Sequence, residues 1–216
     1  MLVQTFSPVA AAQNRADFGV DGRRVVFLDR DGVINVNRAD GVRSWSDLSI
    51  LPAAIDGLAL LSRRGWTVVV ATNQALVNRG DLTALALFDL HTRMVSAIRD
   101  GGGDVAAVYA CPHRPDEGCG CRKPAAGLLK AAAQQFAVDP RSCVFVGDHW
   151  TDLAAARAAG CRFVTVLSGR LTAADLLHRA DIGDAVATDL LGAARYVVAQ
   201  GRVEAPTLGA PRTALC

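Results

Sequence analysis

The run Val25-Val26-Phe27-Leu28, followed at once by Asp29-Arg30-Asp31-Gly32, constrains this chain more than any other segment. Four apolar residues in a row read as a buried strand, and they deliver two carboxylates into a glycine-containing turn. Carboxylates at the exit of a buried strand are poorly placed for packing and well placed for a metal and a phosphate. Strand residues two apart point the same way, so Asp29 and Asp31 can address one small site. Taken alone, the segment is equally readable as a turn that favours Asp and Gly.

Three later segments favour the chemical reading. Val68-Val69-Val70-Ala71 runs into Thr72-Asn73, a hydroxyl and an amide able to hold phosphate oxygens. Arg122-Lys123-Pro124 places two cations just before an expected helix. Val144-Phe145-Val146-Gly147-Asp148 repeats the first pattern, with Asp152 four residues on. Ligands of open α/β sheets gather outside the carboxyl ends of the strands, and these segments lie at strand exits or, for Arg122-Lys123, at a helix entrance.

The whole course of the chain alternates in the same sense. Strands are expected at 25–28, 66–71, 105–110, 143–146 and 163–167, with a short one at 185–187. Helices are expected from Pro52 to about Leu61, Thr83 to Arg99, Pro124 onwards, Thr151 to Ala159, and up to about Val198. Such alternation predicts an α/β fold, a three-layer Rossmann-like parallel sheet with helices on both faces. Residues 23–200 form the expected domain, with extensions at 1–22 and 201–216. The intervals from Asp31 to Thr72 and from Asn73 to Lys123 are consumed by core elements, which leaves no room for a large cap domain. Selectivity would then reside in the loops 35–46, 75–81 and 111–123.

Composition excludes several classes of partner. Lys and Arg total 23 against 21 Asp and Glu, a net charge of +2, which gives no reason to expect nucleic acid or an anionic membrane. No apolar run approaches the ~20 residues of a membrane span. Residues 1–22 lack the basic start and compact apolar stretch of a secretory signal, so the expected compartment is the cytoplasm.

Of six cysteines, three crowd beside a histidine in Cys111-Pro112-His113 through Cys119-Gly120-Cys121. Three thiolates and one imidazole make a closed tetrahedral zinc set, a composition that suits a structural ion. The spacing favours zinc over a redox pair or unrelated buried cysteines. The expected role of this zinc-binding loop is to hold Arg122 and Lys123 beside the acidic site. Cys143 and Cys161 read as small core residues.

Together and in this order, the motifs resemble those of the haloacid dehalogenase superfamily of phosphohydrolases. They are similar to the branch that holds heptose bisphosphate phosphatase and the histidinol-phosphate phosphatase domain. The resemblance spans roughly 25–166. It implies a phosphatase in which Asp29 attacks phosphorus and Asp31 serves as proton donor and acceptor. It further implies catalytic Mg2+ on Asp29, Asp148 and the backbone carbonyl of Asp31. Thr72, Asn73 and Lys123 would hold the phosphoryl group, and Arg122 a second anionic or hydroxylated part of the substrate. Asp31 is expected to have a raised pKa, as a carboxylic acid beside another carboxylate can. Asp152 would touch the metal through water or cap its own helix.

Substrate signals diverge. Thr72-Asn73-Gln74, Arg79-Gly80 and Leu82-Thr83 look like the heptose enzymes, whereas the short spacing from His113 to Cys119 is similar to the histidinol-phosphate branch. Ala75-Leu76 stands where the heptose enzymes usually carry Ser-Gly, and His149 where they often carry lysine. The leading expectation is a small phosphorylated metabolite, D-glycero-D-manno-heptose 1,7-bisphosphate, cleaved at its 7-phosphate by a monomer. Histidinol phosphate is the alternative substrate. An inactive zinc-stabilised binding module is the alternative of another class.

Overall fold

The computed structural model describes residues 1–6 and 24–200, and the apolar runs become the middle of a seven-stranded sheet. In chain order the elements are β1 (Leu2–Thr5), β2 (Arg24–Leu28), α1 (Pro52–Arg63), β3 (Trp66–Asn73), α2 (Leu76–Arg79), α3 (Ala84–Asp100) and β4 (Ala107–Cys111). There follow α4 (Gly127–Phe136), β5 (Val144–Gly147), α5 (Trp150–Ala159), β6 (Arg162–Val166), α6 (Ala173–Leu176), β7 (Ala185–Ala187) and α7 (Leu190–Gln200). Strand order is β1-β4-β3-β2-β5-β6-β7, parallel except where β1 runs against β4.

The two-residue period of each strand divides the core. Val26, Leu28, Val68, Val70, Val144 and Val146 face one side, against Leu58, Leu61, Met94 and Val197. Val25, Phe27, Val69 and Phe145 face the other, against Leu128, Leu129, Leu153 and Ala155. In β2, β3 and β5 every residue but Arg24, Thr67 and Asn73 is thus buried, which is why these strands read as nearly unbroken apolar runs rather than alternating ones. Burying each such side chain contributes about 1.5–3 kcal/mol.

From β2 the chain winds outward to β3 and β4, then returns past β2 to build β5, β6 and β7 on the other side. The reversal leaves a crevice at the carboxyl ends of β2 and β5, the switch point where such sheets bind ligands. Asp29 and Asp148 follow those two strands directly. The Asp29 N–H continues the pairing by donating to the Val146 carbonyl at 2.9 Å.

Three details differ from the sequence expectation. Leu2–Thr5, placed above in an extension, pairs with β4 as an edge strand; the Gln4 amide secures it to α3 through the Phe88 carbonyl and Thr92 hydroxyl, 3.1 and 2.9 Å away. Residues 7–23 and the tail 201–216 lie outside the described residues. The helix expected from Pro124 begins at Gly127, because Lys123 is clamped to β3 and a turn closed by the Ala125 N–H on the Arg122 carbonyl intervenes. The single-turn helices α2 and α6 are too short to display a 3.6-residue period.

Among the described residues, β2 and β3 are joined through turns and α1, and β3 and β4 through α2 and α3, with no separate cap domain. No described helix is long and apolar enough to cross a membrane.

Candidate active site

Asp29, Asp148 and Asp152 converge at the switch point, each offering a carboxylate oxygen, with these atoms within 4.8 Å of one another. All three residues are buried. Lys123 Nζ lies 2.7 Å from an oxygen of Asp29 and 2.7 Å from one of Asp152, and donates to the Ala71 carbonyl at 3.0 Å. Its three N–H groups are thereby engaged. Burial disfavours its charge, but the Asp152 and Asp29 carboxylates outweigh that and raise its pKa.

One ammonium beside three carboxylates leaves excess negative charge in a place poor in water. Burial is the main cause that pushes Asp29 up to about 6; Lys123 opposes the rise, and Asp152 and Asp31 add to it. Burial again, then Asp29 and Asp152, push Asp148 up to about 7. Clustered hard oxygen donors with unmet charge fit a divalent cation such as Mg2+.

Backbone shape sets Asp148. Its Oδ2 accepts the Arg170 N–H at 2.7 Å, and glycines at 32 and 169 press against it. A Cβ on either glycine would collide with the carboxylate, and Gly32 also adopts φ +87°, which side chains rarely tolerate. Of the two roles expected of Asp152 the structure shows the cap: Oδ2 accepts the His149 N–H at 3.2 Å at the start of α5, while Oδ1 faces Lys123, a contact the sequence did not suggest.

Asp31 lines the same cleft but faces different company. Arg30 Nη2 donates to both its oxygens at 2.9 Å, Asn35 to Oδ1 at 2.9 Å, and Gln74 to Oδ2 at 2.9 Å. Burial would raise its pKa, yet the Arg30 charge and these hydrogen bonds prevail and lower it. The expected elevation belongs instead to Asp29 and Asp148. Chain proximity to Asp29 suggested like-charge repulsion, and the fold supplied a buried guanidinium.

Of the residues expected to hold phosphate, Thr72 is buried at the cleft, its hydroxyl accepting from Gln74 at 2.9 Å. Asn73 directs its amide at Lys123. Its Nδ2 donates to the Lys123 carbonyl at 3.0 Å and its Oδ1 accepts the Lys123 N–H at 3.1 Å, so it clamps the lysine's main chain. Arg122 lines the cleft and donates to the His113 carbonyl at 3.0 Å.

Cys111, His113, Cys119 and Cys121 come together beside these residues. Their sulfur–sulfur separations are 3.4–3.6 Å, and His113 Nδ1 lies 3.4 and 3.3 Å from the sulfurs of Cys111 and Cys121. A disulfide requires ~2.05 Å. A zinc tetrahedron built from ~2.3 Å Zn–S and ~2.0 Å Zn–N bonds has edges of ~3.8 and ~3.5 Å. The four atoms could therefore hold one ion with a slight outward adjustment, and they leave no protein-free corner.

The cleft encloses about 650 Å³. Its wall includes Asn37 and Arg114, from the loops 35–46 and 111–123 expected to carry selectivity, and Arg170, to which the sequence reading gave no role. Arg170 carried a usable signal, since Ser168-Gly169-Arg170 stands at the exit of β6 as the other site residues stand at theirs. Arg30 and Gln74 lay inside motifs already recognised, but their partner Asp31 was visible only in the fold.

Comparison with known proteins agrees with this geometry. The HAD-hydrolase-like family profile matches residues 120–193. A D-glycero-beta-D-manno-heptose-1,7-bisphosphate 7-phosphatase of Pseudomonas aeruginosa is 41% identical over 148 residues, 68% of this chain and 83% of that protein. The enzyme of the same name from Bordetella bronchiseptica is 40% identical over 153 residues, covering 70% and 86%. A crystal structure of the D,D-heptose 1,7-bisphosphate phosphatase from B. bronchiseptica, complexed with magnesium and phosphate, superposes with a TM-score of 0.77 at 36% identity, over 82% of this chain and 99% of that one. With the sheet's switch point, its acidic cluster and these relatives in agreement, the chain belongs to the haloacid dehalogenase-like hydrolases, as a phosphatase of the heptose bisphosphate branch.

Proposed function

We propose that this phosphatase removes the 7-phosphate of D-glycero-D-manno-heptose 1,7-bisphosphate, using Mg2+ at the acidic cluster and a structural Zn2+ in the cysteine loop. The observation that carries the reading is the buried trio Asp29, Asp148 and Asp152 with Lys123 in its midst. Mg2+ on the Asp29 and Asp148 carboxylates and the Asp31 carbonyl would supply the charge that offsets repulsion between Asp29 and a phosphate dianion.

Asp29, ionised beside Lys123, attacks phosphorus; the ester P–O bond breaks and an aspartyl-phosphate forms. Asp31 gives its proton to the departing sugar oxygen, then takes one from the water that hydrolyses the aspartyl-phosphate. Phosphate leaves and Asp29 is restored. Negative charge on the bound substrate opposes the donors around Asp31 and raises its affinity for the proton it must carry. Thr72 and Lys123 face the phosphoryl group, and Asn73 keeps Lys123 in place. Arg122, with Arg114 and Arg170 on the same cleft wall, suits the charge of a second phosphate. The enzyme is read as a cytoplasmic monomer.

Phosphate release from the heptose bisphosphate and from histidinol phosphate, with and without Mg2+, tests the proposal. Magnesium-dependent turnover of the heptose substrate, abolished in Asp29→Asn, is expected. Preference for histidinol phosphate would replace the substrate. Asp29→Asn turning over like the parent would remove the mechanism.

A further inference from the structure

We propose that His91, on α3, is a positioning residue that acts through Arg30 to hold Asp31 in the orientation needed for proton transfer. This rests on the reading of Asp31 as the proton donor to the leaving group. Arg30 is among the largest fully buried side chains, 1% exposed, and His91 is equally hidden. The guanidinium meets Asp31 along one edge, with Nη2 at 2.9 Å from both oxygens and Nε at 3.3 Å from Oδ1. Its other arm, Nη1, lies 3.3 Å from His91 Nε2.

A guanidinium only donates, so His91 Nε2 must accept and the ring proton must sit on Nδ1. Burial first, and the Arg30 charge second, push the pKa of His91 down to about 3, so the ring keeps its acceptor at working pH. The planar fork transmits direction: fixing Nη1 fixes the plane in which Nη2 and Nε meet the carboxylate. Asn35 and Gln74 approach the two oxygens from other sides, but neither constrains the guanidinium. Without the imidazole, Nη1 loses an acceptor in a buried place and the fork is free to turn, taking the Asp31 carboxylate with it.

Leaving-group dependence separates this role from a general packing role. A sugar alkoxide needs a proton as it departs, whereas p-nitrophenolate does not. His91→Leu should lower kcat on the sugar bisphosphate about tenfold or more, with KM little changed, and alter kcat on p-nitrophenyl phosphate by less than about twofold. His91→Gln, which restores an acceptor near the Nε2 position, should recover most of the loss. Equal losses on both substrates, or no loss, would overturn the proposal. Asp31→Asn is the reference: if it shows no leaving-group dependence, the reading of Asp31 falls and this proposal with it. A measurement on the unaltered enzyme guards against a variant that fails to fold. Its 15N imidazole spectrum should show His91 neutral with the proton on Nδ1, and a proton on Nε2 would overturn the proposal.

Discussion

Asp148→Asn should make the magnesium-free protein more stable at pH 8 than its parent, with the advantage fading as pH falls. Asp148 ionises near 3.8 in the unfolded chain and near about 7 in the fold, because burial, Asp29 and Asp152 all oppose its charge. A carboxylate whose folded pKa is raised contributes stability that is complete below its unfolded pKa and lost as pH rises through the folded value. The window is thus roughly pH 4 to 7. At about 1.4 kcal/mol per pH unit of displacement, the loss is on the order of 4 kcal/mol for Asp148. Asp29, raised to about 6, shares the same repulsion, so the two losses overlap rather than add. His91 works in the opposite direction, since its pKa falls from 6.5 to about 3 and it adds stability as pH rises from about 3 to 6.5, complete above that. It is present in parent and variant alike, and the difference between them cancels it. Urea denaturation of both proteins from pH 5 to 8, dialysed free of magnesium, reads that difference. Adding Mg2+ at 100 times its dissociation constant should then stabilise the parent by about 2.7 kcal/mol and the variant far less. A parent-minus-variant difference that stays flat from pH 5 to 8, or equal stabilisation of both by Mg2+, would refute the reasoning.

Further tests address the supports around this cluster. Cys119→Ser and Cys121→Ser should each lose the zinc, about one ion per chain by elemental analysis, and lose activity, because Lys123 follows Cys121 by two positions. Gly169→Ala places a methyl group against the Asp148 carboxylate and should lower kcat by about tenfold or more while thermal melting shows a folded protein. Asn73→Ala removes two hydrogen bonds to the Lys123 main chain, so stability measured in urea should fall by about 1–3 kcal/mol, with activity reduced alongside.

Chemistry at strand exits was legible in the sequence because a parallel sheet dictates it. Val25–Leu28 and Val144–Val146 must be buried on both faces, and whatever polar residue follows each has to emerge at the carboxyl edge. The clustering of Cys111, His113, Cys119 and Cys121 was legible for a different reason, since four donors within eleven positions need little help from the rest of the fold to meet. What stayed hidden required contacts between distant segments. Arg30 was given no role of its own, and its pairing with His91 spans 61 positions. The pKa of Asp31 was misjudged because its next-door neighbour Arg30 turns its guanidinium onto the carboxylate, joined by the Gln74 amide from just beyond β3. Leu2–Thr5 was missed because a short edge strand, half exposed, carries almost no pattern of its own.

Among the described residues, the cysteine loop separates two duties that many enzymes must satisfy with the same residues. The side chains of Cys111, His113, Cys119 and Cys121 gather the two ends of the loop, and Lys123 follows the last of them by two positions, its main chain clamped by Asn73. Arg114, Pro115 and Gly118 lie between His113 and Cys119 and face the cleft, whereas the lysine is held by Asn73, Ala71, Asp29 and Asp152. Exchanging them should therefore retune which sugar or alcohol is accepted while the bond-breaking machinery stays in register, and libraries confined to 114–118 offer a direct route to altered specificity.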